Sequence, residues 1–496
     1  MKEIKLFINN EFVNGSAGKT VPSTNPASGE IVATVHMPSE KDIDRAVEAA
    51  EAAFYGKEWR ACDVEKRAQF LEGIAAKLKE RSKELVGLDI AGRGGTGRKA
   101  KGDVSHAAAC FQGLAGQLRK FQFEMKDEAA SRPGFSQNYK VYEPVGVCAQ
   151  VIPWNFPLVM AAWKIGPVIA SGCTTVLKTA LDTPVTASIL AEIIRDVGVP
   201  AGVVNIITGG AAEGTHLLKH PKVRKVAFTG STEVGRQIMQ NAGRDLKRLS
   251  LELGGKSANI ILSDADLSLA VDGALYAFLY HSGQACDSGT RLFVDEKIWP
   301  EFKEKLIKRA EEIKVGNPAD PSTGIGPVVS QKQGERIMGF IEGAKKEGAK
   351  LLTGGKRLAG AEFDKGWFIT PTIFEANPDH TIYREEVFGP VGVVKTFKTD
   401  EEAIQLANSS IYGLAGAVWS KDPAHAQTVA RRLEAGTVWI NEYHLLNPGM
   451  PFGGYKQSGV GREMGEEGMK AYLEVKHLWV SDCDERAKKP WFDAIF

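Results

Sequence analysis

Three side chains in this sequence have the types and surroundings that covalent chemistry on a carbonyl group requires. Cys286 lies in HSGQACDSGTR, Glu252 in LELGGKS and Asn155 in PWNFP. A thiolate attacks a carbonyl carbon, a carboxylate activates water, and an amide N–H stabilises charge on an oxygen. Brought to one site, the three residues would support the formation and hydrolysis of a thioester.

Each of these residues also has a purely structural interpretation. A lone cysteine among glycines is usually a small, inert hydrophobic residue. Most glutamates are solvated or cap a helix, and Asn155 could cap a helix that begins at Pro157. For Glu252, the flanking Leu251 and Leu253 and the double glycine favour a buried functional site.

Two glycine-rich turns have the pattern of phosphate-binding loops. FTGSTEVG at 228–235 follows a predicted strand and opens a helix, so backbone N–H groups and the positive helix end would face an anion. GGAAEG at 209–214 is similar and comes one unit earlier. Neither is the GxGxxG of ordinary dinucleotide folds, so the turns alone leave phosphate binding and a plain turn equally open. GGKS at 254–257 is not a P-loop, because that motif needs a glycine where this chain has Ser250.

Together with PFGGYK at 451–456, these stretches resemble the aldehyde dehydrogenase superfamily, and similar motifs extend from the N-terminal segment to about residue 477. The resemblance implies an NAD(P)-dependent, non-acylating enzyme that oxidises an aldehyde to the carboxylic acid. Cys286 would form a thiohemiacetal and then a thioester, Glu252 would activate the hydrolytic water, and Asn155 would stabilise the oxyanion together with the Cys286 backbone N–H. Lys178 and Glu463 match positions that the family uses for proton relay or active-site electrostatics.

The resemblance also implies a coenzyme site with one departure. NAD-preferring relatives commonly continue the strand that carries the lysine as K-P-A-E, whose glutamate binds the adenosine ribose and repels a 2′-phosphate. This chain reads KTAL and has Leu181 there, so the coenzyme could be NAD or NADP. Glu386 and Phe388 match the nicotinamide-ribose ligand and its packing partner. The predicted coenzyme residues are Trp154, Lys178, Leu181, Gly214, Phe228, Gly230, Ser231, Val234, Leu253, Glu386 and Phe388.

The positions that line the family's substrate tunnel are mostly apolar here. They predict an uncharged aliphatic or aromatic aldehyde, because a dicarboxylic semialdehyde would need an arginine for its second carboxylate. An aromatic box for a quaternary ammonium is not evident, since Leu446 takes the place of an aromatic, but Asp287 could attract an amino-aldehyde. The predicted substrate residues are Phe156, Met160, Trp163, Ala285, Asp287, Leu446 and Phe452.

Alternating strands and helices predict the scaffold that positions these residues. A capping box at Ser39 opens an amphipathic helix, and further helix extends to about residue 120. Four β-branched runs between residues 145 and 228, each followed by a helical stretch, predict a parallel sheet, and a second alternation runs from 257 to about 441. The predicted fold class is α/β, with a Rossmann-like, doubly wound coenzyme domain at 1–120 and 145–253, a second α/β catalytic domain at 254–456, and a small β oligomerisation extension at 121–144 and 470–496.

The two segments of the predicted extension alternate polar and apolar residues like strands that need a partner. Residues 121–143 are polar and fall between helices and the first sheet, and residues 472–480 follow the last helical stretch. In the resembling family such segments pair across subunits. We therefore expect a homodimer or a homotetramer.

Composition narrows the class of protein further. The 496 residues are enough for two or three domains, and 62 basic against 61 acidic residues give no electrostatic reason to expect nucleic acid or a membrane surface as a partner. The N-terminus lacks the apolar stretch of a signal peptide, which predicts a cytoplasmic protein. The six cysteines form no CxxC pair and no metal-ligand spacing, so we expect no metal site.

Two other classes of function remain open at this level. Cys286 with a histidine such as His281 could serve a thiol hydrolase or acyltransferase, although such an enzyme does not need the two phosphate-type turns. A non-catalytic protein that retains the dehydrogenase fold is the second class, and the joint presence of Cys286, Glu252 and Asn155 argues against it. Among dehydrogenases, a CoA-acylating enzyme could dispense with the base, so Glu252 predicts a free acid as the product.

Overall fold

The computed structural model describes residues 2–132 and 134–495. Met1, Pro133 and Phe496, which fall within the predicted domain ranges, lie outside the described residues. The two largest sheets have eight and seven strands, and helices flank both, so the α/β fold class is confirmed. No helix among the described residues is long and apolar enough to cross a membrane.

The N-terminal part consists of short strands followed by helices. The capping box is confirmed, because the Ser39 hydroxyl accepts from the Asp42 N–H while the Asp42 side chain accepts from the Ser39 N–H. The helix it opens buries one apolar face against the first large sheet. The elements are β1 (Lys2–Ile4), β2 (Leu6–Ile8), β3 (Glu11–Val13), β4 (Thr20–Thr24), β5 (Ile31–His36), α1 (Glu40–Tyr55), α2 (Lys57–Arg60), α3 (Val64–Glu80), α4 (Ser82–Arg93) and α5 (Gly97–Lys120).

The eight-stranded sheet is parallel at its centre. Its strands are, in order, β22 (Gly459–Val460), β12 (Arg248–Glu252), β11 (Lys225–Thr229), β8 (Val147–Val151), β9 (Thr174–Thr179), β10 (Val204–Thr208), β2 and β3, of which β22, β2 and β3 pair antiparallel. Every residue of the four central strands is buried, which is why they read as continuous apolar and β-branched runs. The elements of this stretch are β6 (Glu124–Lys126), β7 (Ser136–Pro144), β8 (Val147–Val151), α6 (Pro157–Ser171), β9 (Thr174–Thr179), α7 (Val185–Asp196), β10 (Val204–Thr208), α8 (Ala211–Lys219), β11 (Lys225–Thr229), α9 (Thr232–Arg244) and β12 (Arg248–Glu252).

The seven-stranded sheet follows in the chain and has the order β15-β16-β17-β14-β13-β19-β20. Only β15 pairs antiparallel in it. Short 3-10 helices lie at Tyr280–Gly283, Arg486–Lys488 and Pro490–Ala494. The other elements are β13 (Ala258–Ile261), α10 (Leu267–Leu279), β14 (Arg291–Asp295), α11 (Trp299–Glu311), α12 (Gln331–Lys346), β15 (Lys350–Thr353), β16 (Thr372–Glu375), α13 (Thr381–Arg384), β17 (Val391–Phe397), α14 (Asp400–Asn408), β18 (Tyr412–Gly413), β19 (Ala415–Trp419), α15 (Pro423–Ala430), β20 (Thr437–Ile440), β21 (Tyr455–Lys456), β22 (Gly459–Val460), α16 (Gly465–Lys470) and β23 (Leu473–Ser481).

The two segments of the extension pair with each other in the same chain. Strand β23 runs antiparallel to β7 along its full length, from Leu473 opposite Pro144 to Ser481 opposite Ser136, and β6 pairs with the other edge of β7. The strands that were expected to find partners across subunits are therefore each other's partners. One long edge of β23 is not paired within the described residues.

Parallel strands place their carboxyl ends at one edge of a sheet, and three of the predicted site segments leave from that edge of the eight-stranded sheet. Strand β8 ends before the PWNFP loop, β9 ends with Lys178 and Thr179, and β12 ends at Glu252. Strand β22 returns late in the chain and pairs with β12, placing Gly459 opposite Glu252. The fold thus brings residues from widely separated parts of the sequence to this edge.

Candidate active site

The nucleophile loop lies between the 3-10 turn at 280–283 and β14, and it leaves the Cys286 side chain half-buried. His281 and Ser282 both have left-handed backbone angles, with φ of 54° and 56°. The loop touches the LELGGKS segment, because a Cβ on Gly255 would lie 2.4 Å from the Cys286 carbonyl oxygen. Glycine is therefore required at this contact, which joins the cysteine and glutamate loops.

Asn155 presents its amide to the nucleophile loop. Its side-chain Nδ2 donates to the Gln284 backbone carbonyl at 2.9 Å, and the Asn155 backbone carbonyl accepts from Arg93 at 2.9 Å. The helix-capping interpretation is wrong, because Phe156 occupies the N-cap of α6 and no side chain caps that end. An amide carries two N–H groups, so Asn155 can donate one to Gln284 and one to an oxyanion.

Glu252 is buried at the end of β12, with 3% of its surface exposed. Neither carboxyl oxygen has a hydrogen-bond partner among the described residues, which excludes the solvated and helix-capping interpretations. A Cβ on Gly453 would lie 2.7 Å from Oε1, so the PFGG turn covers the carboxyl group. Burial, followed by the charge of Glu463, raises the pKa of Glu252 well above its usual range, and Lys164 opposes that rise.

Glu463 pairs with Lys164 and not with Lys178. The Lys164 ammonium contacts the Glu463 carboxylate and donates to Thr229 Oγ1 at 2.8 Å, in a fully buried position. Lys178 instead donates to the Gly209 carbonyl at 2.6 Å. Sequence reasoning grouped Lys178 with Glu463 and missed Lys164. The signal that could have identified Lys164 is its position inside the apolar helix α6, because a buried ammonium needs a charged partner.

Most of the predicted coenzyme residues lie at or near the turns that follow β9, β10 and β11. Burial lowers the pKa of Lys178 to about 8, and a Cβ on Gly214 would lie 3.5 Å from its side chain. Leu181 faces the same turn, since a Cβ on Gly210 would lie 3.7 Å from Leu181 Cδ1. Ser231 caps α9 by accepting from the Val234 N–H. Lys178 and Leu181 thus lie together beside the N-terminus of α8, an arrangement suited to a phosphate.

Glu386 and Phe388 come from the segment before β17 of the second sheet and contact the segments that follow β12 and β8. Glu386 Oε1 accepts from the Gly255 N–H at 3.0 Å, and burial raises its pKa to about 7. Phe388 packs edge-to-face on Trp154 with ring centroids 5.3 Å apart. The remaining predicted positions pack around the same edge: Phe228 against Gly230, and Leu253 against Gly235 of α9. The residues present therefore fit a dinucleotide, with cationic and helix-end groups for phosphates and a carboxylate for a ribose.

Aromatic and aliphatic side chains surround the approach to Cys286. Trp163 packs on Phe452 at 5.3 Å between ring centroids and lies 6.1 Å from His106. Phe156 faces Tyr280, which sequence reasoning did not include. The other predicted positions are Met160 and Ala285, both buried, Leu446, which is partly buried, and Asp287, whose carboxylate contacts His444 at 3.1 Å.

His281, the histidine that a thiol hydrolase would pair with Cys286, contacts Arg93 instead. Both ring nitrogens of His281 face the Arg93 guanidinium, at 3.1 and 3.5 Å, and burial lowers the pKa of this imidazole well below its usual range. Within the described residues His281 makes no hydrogen bond to Cys286. Arg93 is itself held by Asp89 and Asp103. The cysteine–histidine pair that a hydrolase requires is therefore not formed.

A half-buried cysteine, a buried carboxylate without a hydrogen-bond partner among the described residues, and a dinucleotide-type sheet edge are together suited to an oxidoreductase. The model of the aldehyde dehydrogenase family matches residues 12–478. An aldehyde dehydrogenase of Alternaria alternata is 45% identical over 475 residues, covering 95% of this chain and 94% of the relative. The human mitochondrial aldehyde dehydrogenase is 44% identical over 481 residues, covering 96% and 92%.

Solved structures of relatives match the fold closely. The NAD+ complex of an aldehyde dehydrogenase from Bacillus cereus has a TM-score of 0.93 at 43% identity and covers 97% of both chains. A betaine aldehyde dehydrogenase from Staphylococcus aureus in complex with NAD+ has a TM-score of 0.94 at 40% identity and covers 97% of this chain and 95% of that one. The chain belongs to the aldehyde dehydrogenase family, and its reaction is the oxidation of an aldehyde with a nicotinamide coenzyme.

Proposed function

We propose that the protein oxidises uncharged aliphatic or aromatic aldehydes to free carboxylic acids through a thioester on Cys286. The observation that carries this proposal is the buried Glu252 carboxyl group, which has no hydrogen-bond partner among the described residues. Its negative charge contributes to raising the pKa of Cys286, so the two groups interact. Burying a carboxylate without a partner costs folding free energy, so its presence calls for a functional explanation. A CoA-acylating enzyme or a structural protein would have no use for it.

The residues of this chain have the following roles in the proposed reaction. The Cys286 thiolate attacks the carbonyl carbon, and the Asn155 amide and the Cys286 N–H donate to the oxygen that becomes negative. NAD(P)+ would supply the hydride acceptor. Lys178 and the N-termini of α8 and α9 would hold its phosphates, and Glu386 would hold a ribose. Glu252 then takes a proton from water so that the water attacks the thioester. Lys164 and Glu463, which contact each other and whose charges act on Glu252, would exchange protons with that site.

The tunnel lining supports a substrate without charge. Trp163, Phe452, Phe156 and Met160 offer apolar surface, and the Asp287 carboxylate is occupied by His444. The experiment is a panel of aldehydes followed by reduced-nicotinamide absorbance, with NAD and NADP in separate runs. We expect propanal and benzaldehyde to be oxidised with higher kcat/KM than succinic semialdehyde, and a preference for the semialdehyde would contradict the proposal.

Residue 181 allows the coenzyme site to be tested by substitution. We expect the wild type to accept both coenzymes, and Leu181→Glu to shift preference toward NAD, because the new carboxylate accepts from the ribose and repels a 2′-phosphate. Unit charges about 4 Å apart repel by roughly 1 kcal/mol in water and about 4 kcal/mol at intermediate dielectric, so the ratio should move about tenfold or more.

The measurement is the ratio of kcat/KM for NAD and NADP at fixed aldehyde. Glu213, which accepts from the Gly210 N–H at 2.7 Å in the same turn, is present in both proteins and cancels from the comparison. Leu269→Glu is the control, because Leu269 is exposed on α10 and the substitution adds the same charge away from the coenzyme turns. An unchanged ratio in Leu181→Glu would mean that residue 181 does not face the ribose.

We also propose a homodimer or homotetramer and a cytoplasmic location. Exposed Val475, Leu478 and Trp479 on β23, together with the unpaired edge of that strand, support assembly. All six cysteines are free, which suits a reducing compartment. Light scattering at micromolar concentration should give at least twice the mass of the chain, 53.7 kDa, and a monomer would contradict the proposed assembly.

A further inference from the structure

Asp287, the residue after the nucleophile, has a partner that the sequence did not reveal. His444 lies in the loop after β20 with a side chain that is 4% exposed, and its Nδ1 lies 3.1 Å from Asp287 Oδ2. Its other ring nitrogen, Nε2, lies 3.0 Å from the Ala277 carbonyl oxygen. Both nitrogens of this imidazole therefore face acceptors.

While the Asp287 carboxylate is ionised, only the doubly protonated ring satisfies both contacts. A carbonyl oxygen and an ionised carboxylate accept hydrogen bonds and cannot donate them, and a neutral imidazole has a single N–H. The imidazolium form donates from both nitrogens. Three tyrosine rings surround it, with centroids at 4.8 Å for Tyr443, 5.0 Å for Tyr280 and 5.4 Å for Tyr276.

The same cluster is joined to the nucleophile loop. The Tyr443 hydroxyl donates to the Asp287 carbonyl at 2.8 Å, directly after Cys286. We propose that His444 is held as an imidazolium that neutralises the Asp287 carboxylate, so that the tunnel wall carries no net charge beside Cys286. His444 is then a positioning residue, acting through Asp287. This inference rests on the proposed function and deepens it, since it explains the selection of uncharged aldehydes.

The charge of Asp287 matters because other acids already face the thiol. Burial raises the pKa of Cys286 well above its usual range, and Asp287, Glu386 and Glu252 raise it further in that order. Around His444 the other ionisable groups are Tyr276, Tyr280 and Tyr443, with Glu442 accepting from the Tyr443 N–H. Lys99 lies 5.9 Å from the Tyr280 ring and is paired with Asp103.

The test uses His444→Asn, Asp287→Asn and the double variant in the full-length protein. The rate of Cys286 alkylation by iodoacetamide is measured against pH without coenzyme. We expect His444→Asn to move the midpoint up by about one pH unit, because the Asp287 charge is no longer offset. Asp287→Asn should leave the midpoint unchanged or lower it, and the double variant should return close to the wild type. No shift in His444→Asn, or a shift that persists in the double variant, would overturn the proposal.

A second readout follows the substrate. The ratio of kcat/KM for 3-aminopropanal over propanal should rise about tenfold in His444→Asn, the equivalent of about 1.4 kcal/mol, and return to the wild-type value in the double variant. An unchanged ratio would count against the charge pair. If His444→Asn does not fold, a folded double variant with a wild-type midpoint supports the pair, and a double variant that also fails to fold or keeps a shifted midpoint contradicts it.

The alkylation experiment is independent of turnover. It needs neither aldehyde nor coenzyme, so a negative result there removes the charge pair and leaves the proposed function standing. If the wild type oxidises no aldehyde while the alkylation shifts are as expected, the proposed function is contradicted and the charge pair stands.

Discussion

Cys286→Ala should abolish aldehyde oxidation and leave coenzyme binding nearly unchanged. The thiol forms the covalent bond, and the phosphate turns after β9, β10 and β11 lie elsewhere along the sheet edge. Loss of a nucleophile typically costs at least about a thousandfold in kcat. The measurement combines steady-state turnover with coenzyme titration by fluorescence quenching.

The matched control is Cys62→Ala, a half-buried cysteine between α2 and α3 that takes no part in the site. It should keep wild-type turnover. Turnover in Cys286→Ala within a few-fold of the wild type would remove Cys286 from the mechanism.

Glu252→Gln should separate the two halves of the reaction. Glutamine has the shape of glutamate but cannot accept the proton of water, so hydride transfer should persist while thioester hydrolysis slows by about two to four orders of magnitude. Rapid mixing should show a burst of one reduced coenzyme per active site, followed by slow turnover. Glu301→Gln is the control, because Glu301 is exposed on α11 and forms a surface ion pair with Lys305. Unchanged steady-state turnover in Glu252→Gln would exclude Glu252 as the base.

The pH dependence of hydrolysis provides an independent check on Glu252. Because burial raises the pKa of this carboxyl group, its basic form is lost at a higher pH than for an ordinary glutamate. The hydrolysis rate of the wild type should therefore fall as the pH is lowered through that raised pKa. The same fall should be absent from Glu252→Gln.

The fold was predictable where local pattern and burial agree. The four central strands are buried along their whole length, so they appear in the sequence as short β-branched runs, and the capping box at Ser39 follows from local chemistry alone. The N-terminal strands β1 to β5 were not predicted, because each has only three to six residues. The pairing of β7 with β23 joins residues more than 300 positions apart, and no local signal encodes it.

The site was predictable as a set of residues and not as a set of contacts. Cys286, Glu252 and Asn155 stand in motifs whose glycines and prolines mark functional loops. Lys164 was missed because it lies in an apolar helical run that reads as core, and His444 because its loop carries no motif. Their roles depend on partners that the fold supplies from distant segments, Glu463 in one case and Asp287 in the other.

The most direct test of the central claim is to identify the intermediate on the protein. Glu252→Gln is mixed with NAD+ and propanal, quenched in acid within the burst, digested and analysed by mass spectrometry. The account predicts that the peptide containing Cys286 gains one propanoyl group in place of the thiol hydrogen, in equal amount to the reduced coenzyme of the burst. Reduced coenzyme without an acyl group on Cys286, or an acyl group on a different residue, would contradict it.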